Sequence, residues 1–149
     1  MTDAARDAVA HRARYPYFLS IPTRWMDNDT YGHINNVVYL SYFDTVVNEH
    51  LIRAGGLDIH EAPTIGLVVE TTCRFHKPLS FPDVIDAGLR VARLGNSSVR
   101  YEIALFRQKE EEPAASGHFV HVWVDRVSRR PTPLPSRVRA ALAALVVAE

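Results

Sequence analysis

A change of hydrophobic period constrains the fold of this chain more than any other feature. From Asn35 onward, apolar or amphipathic side chains recur at the spacing of one helix face. The AGG sequence at 54–56 ends this segment, because glycine readily takes the left-handed conformation that terminates helices. The pattern predicts a helix of roughly twenty residues, covered by other parts of the chain on more than one side. Its predicted buried positions are Tyr39, Tyr42, Phe43, Val46, Val47, His50, Leu51 and Ala54.

The sequence around this helix alternates with a period of two, as strands do. Residues 17–26 predict one strand before the helix, and four longer strands follow it at 64–76, 84–94, 98–108 and 116–127. Short connections rich in turn residues link the later strands, which predicts hairpins and an antiparallel sheet. Short helices are predicted over 2–13 and, capped by Ser136, over the last residues of the chain.

These elements predict an α+β fold, in which an antiparallel sheet of about five strands wraps around one long central helix. A half-polar sheet has to bury its apolar face, and this is the only long apolar helix available. The chain has 149 residues and no internal repeat or linker, so we predict a single domain over 1–149 with its core at about 16–136.

Composition removes several classes of function. Lys+Arg and Asp+Glu both total 17, so the balance of charge offers no electrostatic basis for binding nucleic acid or an anionic membrane. The single cysteine, Cys73, cannot form an internal disulfide, and its apolar surroundings favour an inert buried thiol. The N-terminal residues lack the apolar core of a signal peptide, and no apolar run is long enough for a membrane span, so a cytoplasmic protein is expected.

A polar cluster comes directly before the long helix, in RWMDNDTYGHINN (24–36). Gly32 permits a tight turn after Asp27 and Asp29, and Asn35 is well suited to cap the helix. The unpaired N–H groups of a helix start can stabilise an oxyanion, while a nearby carboxylate attacks a carbonyl or activates water. Because an aspartate is a weak nucleophile, a thioester suits such a site better than an amide. Plain turn and cap residues are the alternative, since Asp, Asn and Gly are common in both.

The order of residues in this stretch resembles the signature of the 4-hydroxybenzoyl-CoA thioesterase family, which has the hotdog fold. The similar pattern here is Asp27-x-Asp29, Gly32, His33 and Asn35-Asn36, followed by an aromatic-rich helix with Tyr39, Tyr42 and Asp44. Later stretches are also similar, namely CRFHKPLSFPD with its aromatic-x-x-Pro, LGNSS, and RRPTPLP. The resemblance covers about residues 16 to 136. GHINN is similar to the variant in broader acyl-CoA thioesterases, so the aryl-CoA type is not implied.

The resemblance implies hydrolysis of a fatty-acyl or aromatic acyl-CoA to free acid and CoA. It assigns the catalytic carboxylate to Asp29, as nucleophile or as base toward water, and the polarising donor to the backbone N–H of Asn36. Asp27 is a supporting acid, and His33 orients the loop, contacts the substrate or is purely structural. Substrate-binding positions by this resemblance are Asn35, Tyr39, Arg93 and Ser97.

No cofactor or metal is implied, because coenzyme A belongs to the substrate. The family forms homodimers, often paired into tetramers, with active sites between protomers. His118 and His121 are three residues apart on a predicted strand, hence on opposite faces, so they are not expected to share a metal.

Two other functions remain open from the sequence. One is a hotdog hydratase or dehydratase acting on enoyl or hydroxyacyl thioesters, whose site centres on a histidine with a differently placed acid. The other is a non-catalytic module that binds acyl-CoA or an acyl carrier. The position of Asp29 argues against both of them.

Overall fold

A five-stranded antiparallel sheet curves around one long helix in the computed structural model, which describes residues 11–147. The predicted α+β architecture is therefore confirmed. Most of the helix predicted at 2–13 lies outside the described residues, and its end is a 3-10 turn at Arg12–Arg14. The elements in chain order are β1 (Tyr17–Pro22), α1 (Asn36–Arg53), β2 (Thr64–Phe75), β3 (Val84–Leu94), β4 (Ser98–Arg107), β5 (Ala115–Asp125) and α2 (Ser136–Ala143).

The long helix α1 begins and ends close to where its residues predict. The Asn35 side chain caps it by accepting from the Val37 amide at 3.0 Å, and Gly56 follows its C-terminus with a φ of +65°. Seven of the eight predicted positions form the buried face of the helix, whereas Ala54 follows its last residue and is only half-buried. That face packs against the inner surface of the sheet, where Tyr101 of β4 and Trp123 of β5 are fully buried. The core therefore lies between one helix and the concave side of the sheet.

The order of strands in the sheet is β1-β3-β4-β5-β2. The connections between β3 and β4 and between β4 and β5 are hairpins, as predicted. The predicted hairpin between β2 and β3 is wrong, because β2 pairs with β5 at the far edge of the sheet. Residues 76–83, called the crossover loop below, instead carry the chain across the end of the sheet. Turn residues predict where a chain bends, but they do not determine which strand it meets next.

Two predicted boundaries near helices also differ from the structure. The first strand ends at Pro22 rather than at residue 26, because Trp25–Asp27 form a 3-10 turn. Ser136 is the first residue of α2, and Pro135 occupies the cap position before it. Proline fits there because a cap residue needs extended backbone and its own N–H is not used in the helix.

The edge strand β2 is unusually exposed for a strand of twelve residues. It hydrogen-bonds to β5 on one side only, and Val69 on it is 61% exposed. Val37 on α1 is also exposed. An edge strand that exposes apolar side chains in this way invites pairing with another strand. Between residues 11 and 147, no helix combines the length and apolar character needed to cross a membrane.

Candidate active site

The polar stretch before α1 folds back on itself as a small hairpin. Within this segment, called the site loop (residues 24–35), Asn28 bridges to Ile34, and the Asp29 amide donates to the His33 carbonyl at 2.9 Å. The Gly32 amide closes the turn by donating to the Asp29 carbonyl at 3.0 Å. Gly32 has a φ of +85°, a conformation that glycine adopts without strain. The glycine predicted to bend the loop therefore does so.

Asp29 is held by the turn that it begins. One carboxylate oxygen, Oδ1, accepts from the Tyr31 amide at 2.8 Å, which is the Asx-turn arrangement. Its other oxygen receives no hydrogen bond from any residue in the range 11–147. The carboxylate is thus oriented by backbone and retains one oxygen available for chemistry.

Asp27 is a buried anchor with only 1% of its surface exposed. It accepts from the Arg24 amide at 2.9 Å and from the Tyr42 hydroxyl at 2.7 Å, and it forms an ion pair with the Arg24 guanidinium. Burial alone would raise the pKa of Asp27, but these hydrogen bonds outweigh burial and lower it. The carboxylate therefore stays charged and ties the site loop to α1.

The start of α1 carries an N–H group without an acceptor. Asn35 is committed to the backbone, since its side chain caps the helix and its amide donates to the Asp27 carbonyl at 2.9 Å. Asn36 is the first residue of the helix, and nothing in the described part of the chain accepts from its amide. Such a donor, at the positive end of the helix dipole, can stabilise an oxyanion.

A pocket of about 320 Å³ opens beside this helix start. Its aromatic wall is an edge-to-face contact between Tyr39 of α1 and Phe75 of β2, with ring centroids 5.0 Å apart. Burial raises the pKa of Tyr39, so this hydroxyl stays neutral. The full lining consists of His33, Ile34, Asn36, Tyr39, Phe75, His76, Lys77 and Pro78.

The structure brings three of the predicted site residues to this pocket, namely His33, Asn36 and Tyr39. Asp29 does not line it, but stands on the opposite arm of the same hairpin from His33. Residues 75–78 were not predicted as site residues. The aromatic-x-x-Pro pattern, quoted only for its resemblance, was the signal for them.

Arg93 and Ser97 lie at the other end of the molecule. The pocket lies beside the end of the sheet where β2 ends and β3 begins. Arg93 is near the last residue of β3, and Ser97 lies beyond it. The eleven residues of β3 separate these ends by about 33 Å. Within one chain, these two predicted substrate contacts are therefore not part of the pocket.

The remaining titratable groups that the sequence singled out have structural environments. His118 faces outward to Glu70 at 2.6 Å, while His121 faces inward to the Tyr101 hydroxyl at 3.0 Å, so the two lie on opposite faces as predicted. Burial raises the pKa of Cys73 to about 11, which keeps its thiol protonated and unreactive.

Solved structures share this fold. The PA5185 protein from Pseudomonas aeruginosa strain PAO1 is 54% identical and superposes with a TM-score of 0.91, covering 93% of this chain and 96% of that chain. A thioesterase from Thermus thermophilus, crystallised with coenzyme A and Zn, is 30% identical with a TM-score of 0.73, covering 88% of this chain and 94% of that chain.

A curated relative is more distant and longer. The chain is 26% identical over 125 residues to the chloroplastic acyl-acyl carrier protein thioesterase ATL2 of Arabidopsis thaliana. The match covers 82% of this chain but only 65% of the length of that relative.

Membership of a family follows from a match that includes the site loop, the helix and the whole sheet after β1. The profile of the Thioesterase-like superfamily matches residues 23–142. The match is to this superfamily, and the 4-hydroxybenzoyl-CoA thioesterase family that the site loop resembles stays a prediction. The match covers most of the chain, and the fold is the one expected from the resemblance. The chain belongs to the Thioesterase-like superfamily and has its hotdog fold.

Proposed function

We propose that this protein hydrolyses an acyl-CoA thioester, fatty-acyl or aromatic, to the free acid and coenzyme A. The observation that carries the proposal is the backbone amide of Asn36, a residue that lines the pocket at the start of α1; no described residue accepts from this amide. Membership of the Thioesterase-like superfamily supports the reaction class. The coenzyme A bound to the Thermus thermophilus thioesterase supports CoA as the carrier of the acyl group.

The Asn36 amide supplies the electrostatic part of the chemistry. A thioester carbonyl oxygen placed on this N–H gains negative charge as the tetrahedral intermediate forms, and the helix start stabilises that charge. The donor belongs to the backbone of a long, well-packed helix, so it does not have to reorganise during the reaction. Ile34, Tyr39, Phe75 and Pro78 provide apolar surface for part of the substrate.

Asp29 supplies the second part, in one of two ways. As a base, its carboxylate takes a proton from water while the water oxygen bonds to the carbonyl carbon, after which the C–S bond breaks and coenzyme A leaves. As a nucleophile, it bonds to that carbon itself, expels the thiolate and leaves an anhydride that water cleaves. In a single turnover in ¹⁸O-labelled water, label in Asp29 identifies the nucleophilic route with water attacking the aspartyl carbonyl of the anhydride, whereas the base route puts label only in the released acid.

A homodimer completes the proposal, and two dimers can pair further. Two copies joined antiparallel along their exposed β2 edges would place the pocket end of one sheet beside the Arg93 and Ser97 end of the other. Exposure of Val69 on this edge supports such pairing. In that arrangement Arg93 would offer a cation to the phosphates of coenzyme A, and Ser97 a hydroxyl. Coenzyme A enters only as part of the substrate, and no separate cofactor is proposed.

Replacing Asp29 by Asn tests the proposal directly. We expect the native protein to release thiol from at least one member of a panel of acyl-, aryl- and hydroxyacyl-CoA thioesters and acyl-carrier-protein thioesters. Asp29→Asn should lower kcat by at least about a hundredfold, because the amide can neither accept the proton nor form the anhydride.

Asp58→Asn is the matched control for this substitution. Asp58 also accepts from backbone amides two and three residues ahead, but it lies in an exposed turn after α1. Its variant should keep native activity. If the native protein cleaves no thioester, the proposed reaction is wrong. If Asp29→Asn is as active as the native protein, the assignment of the carboxylate is wrong.

A further inference from the structure

The pocket is built from two loops that are distant in sequence. His33 and Ile34 of the site loop, with the start of α1, form one side. His76, Lys77 and Pro78 of the crossover loop form the other side. The width of the pocket therefore depends on how these two loops are held relative to each other.

Three hydrogen bonds join the loops directly. The Ile34 amide donates to the Leu79 carbonyl at 2.7 Å, two residues before Asn36. The Ser80 hydroxyl donates to the Gly32 carbonyl at 3.0 Å. The Phe81 amide donates to the Asn28 side chain at 3.0 Å. Any shift of the crossover loop is thus transmitted to the turn that carries Asp29 and to the segment leading into α1.

One guanidinium bonds the crossover loop at two points. Arg107, the last residue of β4, donates through Nη2 to the Pro78 carbonyl at 3.2 Å and through Nε to the Asp83 carboxylate at 3.2 Å. The same Asp83 oxygen accepts from the Ser80 amide at 3.0 Å, which extends the clamp to the middle of the loop. Through Nη1, Arg107 also donates to Glu110 in its own hairpin at 3.3 Å.

Geometry explains why an arginine is needed at this position. Its planar fork presents several N–H groups in fixed directions, so it can bond a carbonyl and a carboxylate at the same time. A lysine can keep the ion pair with Asp83, but as a single flexible ammonium it does not hold both groups in one fixed arrangement. Arg107 is absent from the pocket lining, so it acts on a substrate only through the loops.

We propose that Arg107 is a positioning residue that sets the width of the acyl pocket by clamping the crossover loop against the site loop. The proposal rests on the thioesterase function for its kinetic consequences. Its structural part, the clamp itself, can be tested without any activity.

The kinetic test uses Arg107→Lys and Arg107→Gln in the full-length protein, with acyl-CoA substrates of increasing acyl size. We expect KM for the largest accepted acyl groups to rise about tenfold, as the loss of one charge-assisted hydrogen bond implies, while kcat for the smallest stays within about threefold. A purely structural role would instead reduce kcat for every substrate by the same factor, in step with the folded fraction. That uniform loss, or unchanged kinetics, would overturn the proposal.

The second readout is amide hydrogen exchange at Ile34 and Phe81, whose bonds join the two loops. Both amides should exchange at least about tenfold faster in Arg107→Gln, since local opening becomes easier when the clamp is lost. Ser80→Ala, which removes only the bond to Gly32, should show the same pattern more weakly. Unchanged exchange at both amides in Arg107→Gln contradicts the clamp, whatever the activity.

Arg126→Gln is the matched control. Arg126 also bonds backbone carbonyls of a loop, those of Ala62 at 2.6 Å and Ile59 at 2.8 Å, but none of these residues lines the pocket. Its variant should leave exchange at Ile34 and the dependence of KM on acyl size unchanged. If the native protein is inactive on every thioester, the proposed function fails while the exchange measurement still decides the clamp.

Discussion

At the scale of single residues, a buried histidine makes the stability of this fold depend on pH. His121 lies on the inner face of β5 among Tyr101, Phe119 and Trp123, and burial lowers its pKa to about 4. An unfolded chain gains a proton on this histidine near pH 6.5, whereas the folded chain does not until about pH 4. The contribution of neutral His121 to the unfolding free energy is therefore fully present above about pH 6.5 and is lost as the pH falls towards about 4.

We predict that, because of His121, the unfolding free energy of the native protein falls by about 2 kcal/mol when the pH is lowered from about 7.5 to about 5. His121→Gln cannot titrate, so this part of the pH dependence should disappear, as measured by urea unfolding at both pH values. Burial also lowers the pKa of His50, so some dependence of the same sign remains in the variant.

His60→Gln, at an exposed position, is the control for a general effect of removing a histidine. It should retain the dependence of the native protein on pH. Equal dependence in native protein and His121→Gln would show that His121 does not remain neutral in the folded state.

At the scale of elements, the close approach of β2 and α1 to β5 depends on one glycine. A Cβ on Gly117 would lie 1.9 Å from the Thr72 carbonyl oxygen of β2 and 2.9 Å from the Phe43 ring of α1. Backbone cannot move aside as a flexible side chain can. We predict that Gly117→Ala lowers the unfolding free energy by about 3 kcal/mol or more, measured by chemical denaturation.

The neighbouring residue provides the comparison for this substitution. Ser116 bonds the side chain of exposed His76, so Ser116→Ala should change stability by only about 0.5 kcal/mol. Native stability in Gly117→Ala would mean that β2 does not approach β5 as closely as described.

The elements were predictable because their signals are local. The cap at Asn35 and the spacing of buried residues predicted α1 nearly to the residue, and the alternation around Val84–Leu94 predicted β3 in full. The partner of β2 was not predictable, because pairing with β5 joins residues some fifty positions apart, such as Thr72 and His118. Hydrophobic period determines which face of a strand is buried, but not its place in the sheet.

The candidate site also contains residues that the local sequence predicts and residues that it does not. The turn from Asp29 to Gly32 and the helix start at Asn36 follow from a contiguous stretch, so the sequence predicts them together. Arg107 could not be found this way, because its bonds to Pro78 and Asp83 exist only after β4 and the crossover loop come together. The resemblance also assigned Arg93 and Ser97 to substrate binding, but within a single chain these residues lie far from the pocket.

At the scale of the whole molecule, the exposed β2 edge predicts self-association. Sedimentation velocity should show a dimer or a pair of dimers, and Val69→Lys should shift the protein to a monomer, because lysine on an edge disfavours strand pairing. We expect the monomer to keep its secondary structure but to lose thioester hydrolysis. Each pocket would then lack the end of the second copy's sheet that carries Arg93 and Ser97.

Val127→Lys controls for added charge on an exposed valine. Val127 is 90% exposed in the turn after β5 rather than on β2, and its variant should remain a dimer. A fully active monomeric Val69→Lys would show that one chain holds a complete site.

The crossover loop leaves directly from the strand that is expected to pair. In a dimer formed through β2, strand pairing and the placement of His76, Lys77 and Pro78 are therefore mechanically linked. The rate of hydrolysis per protein molecule would then rise with protein concentration, in the range near the dissociation constant of the dimer. Within that range, doubling the concentration of this protein in a cell would more than double the rate of hydrolysis. The rates of synthesis and degradation of the protein would then control thioester levels without any small-molecule effector.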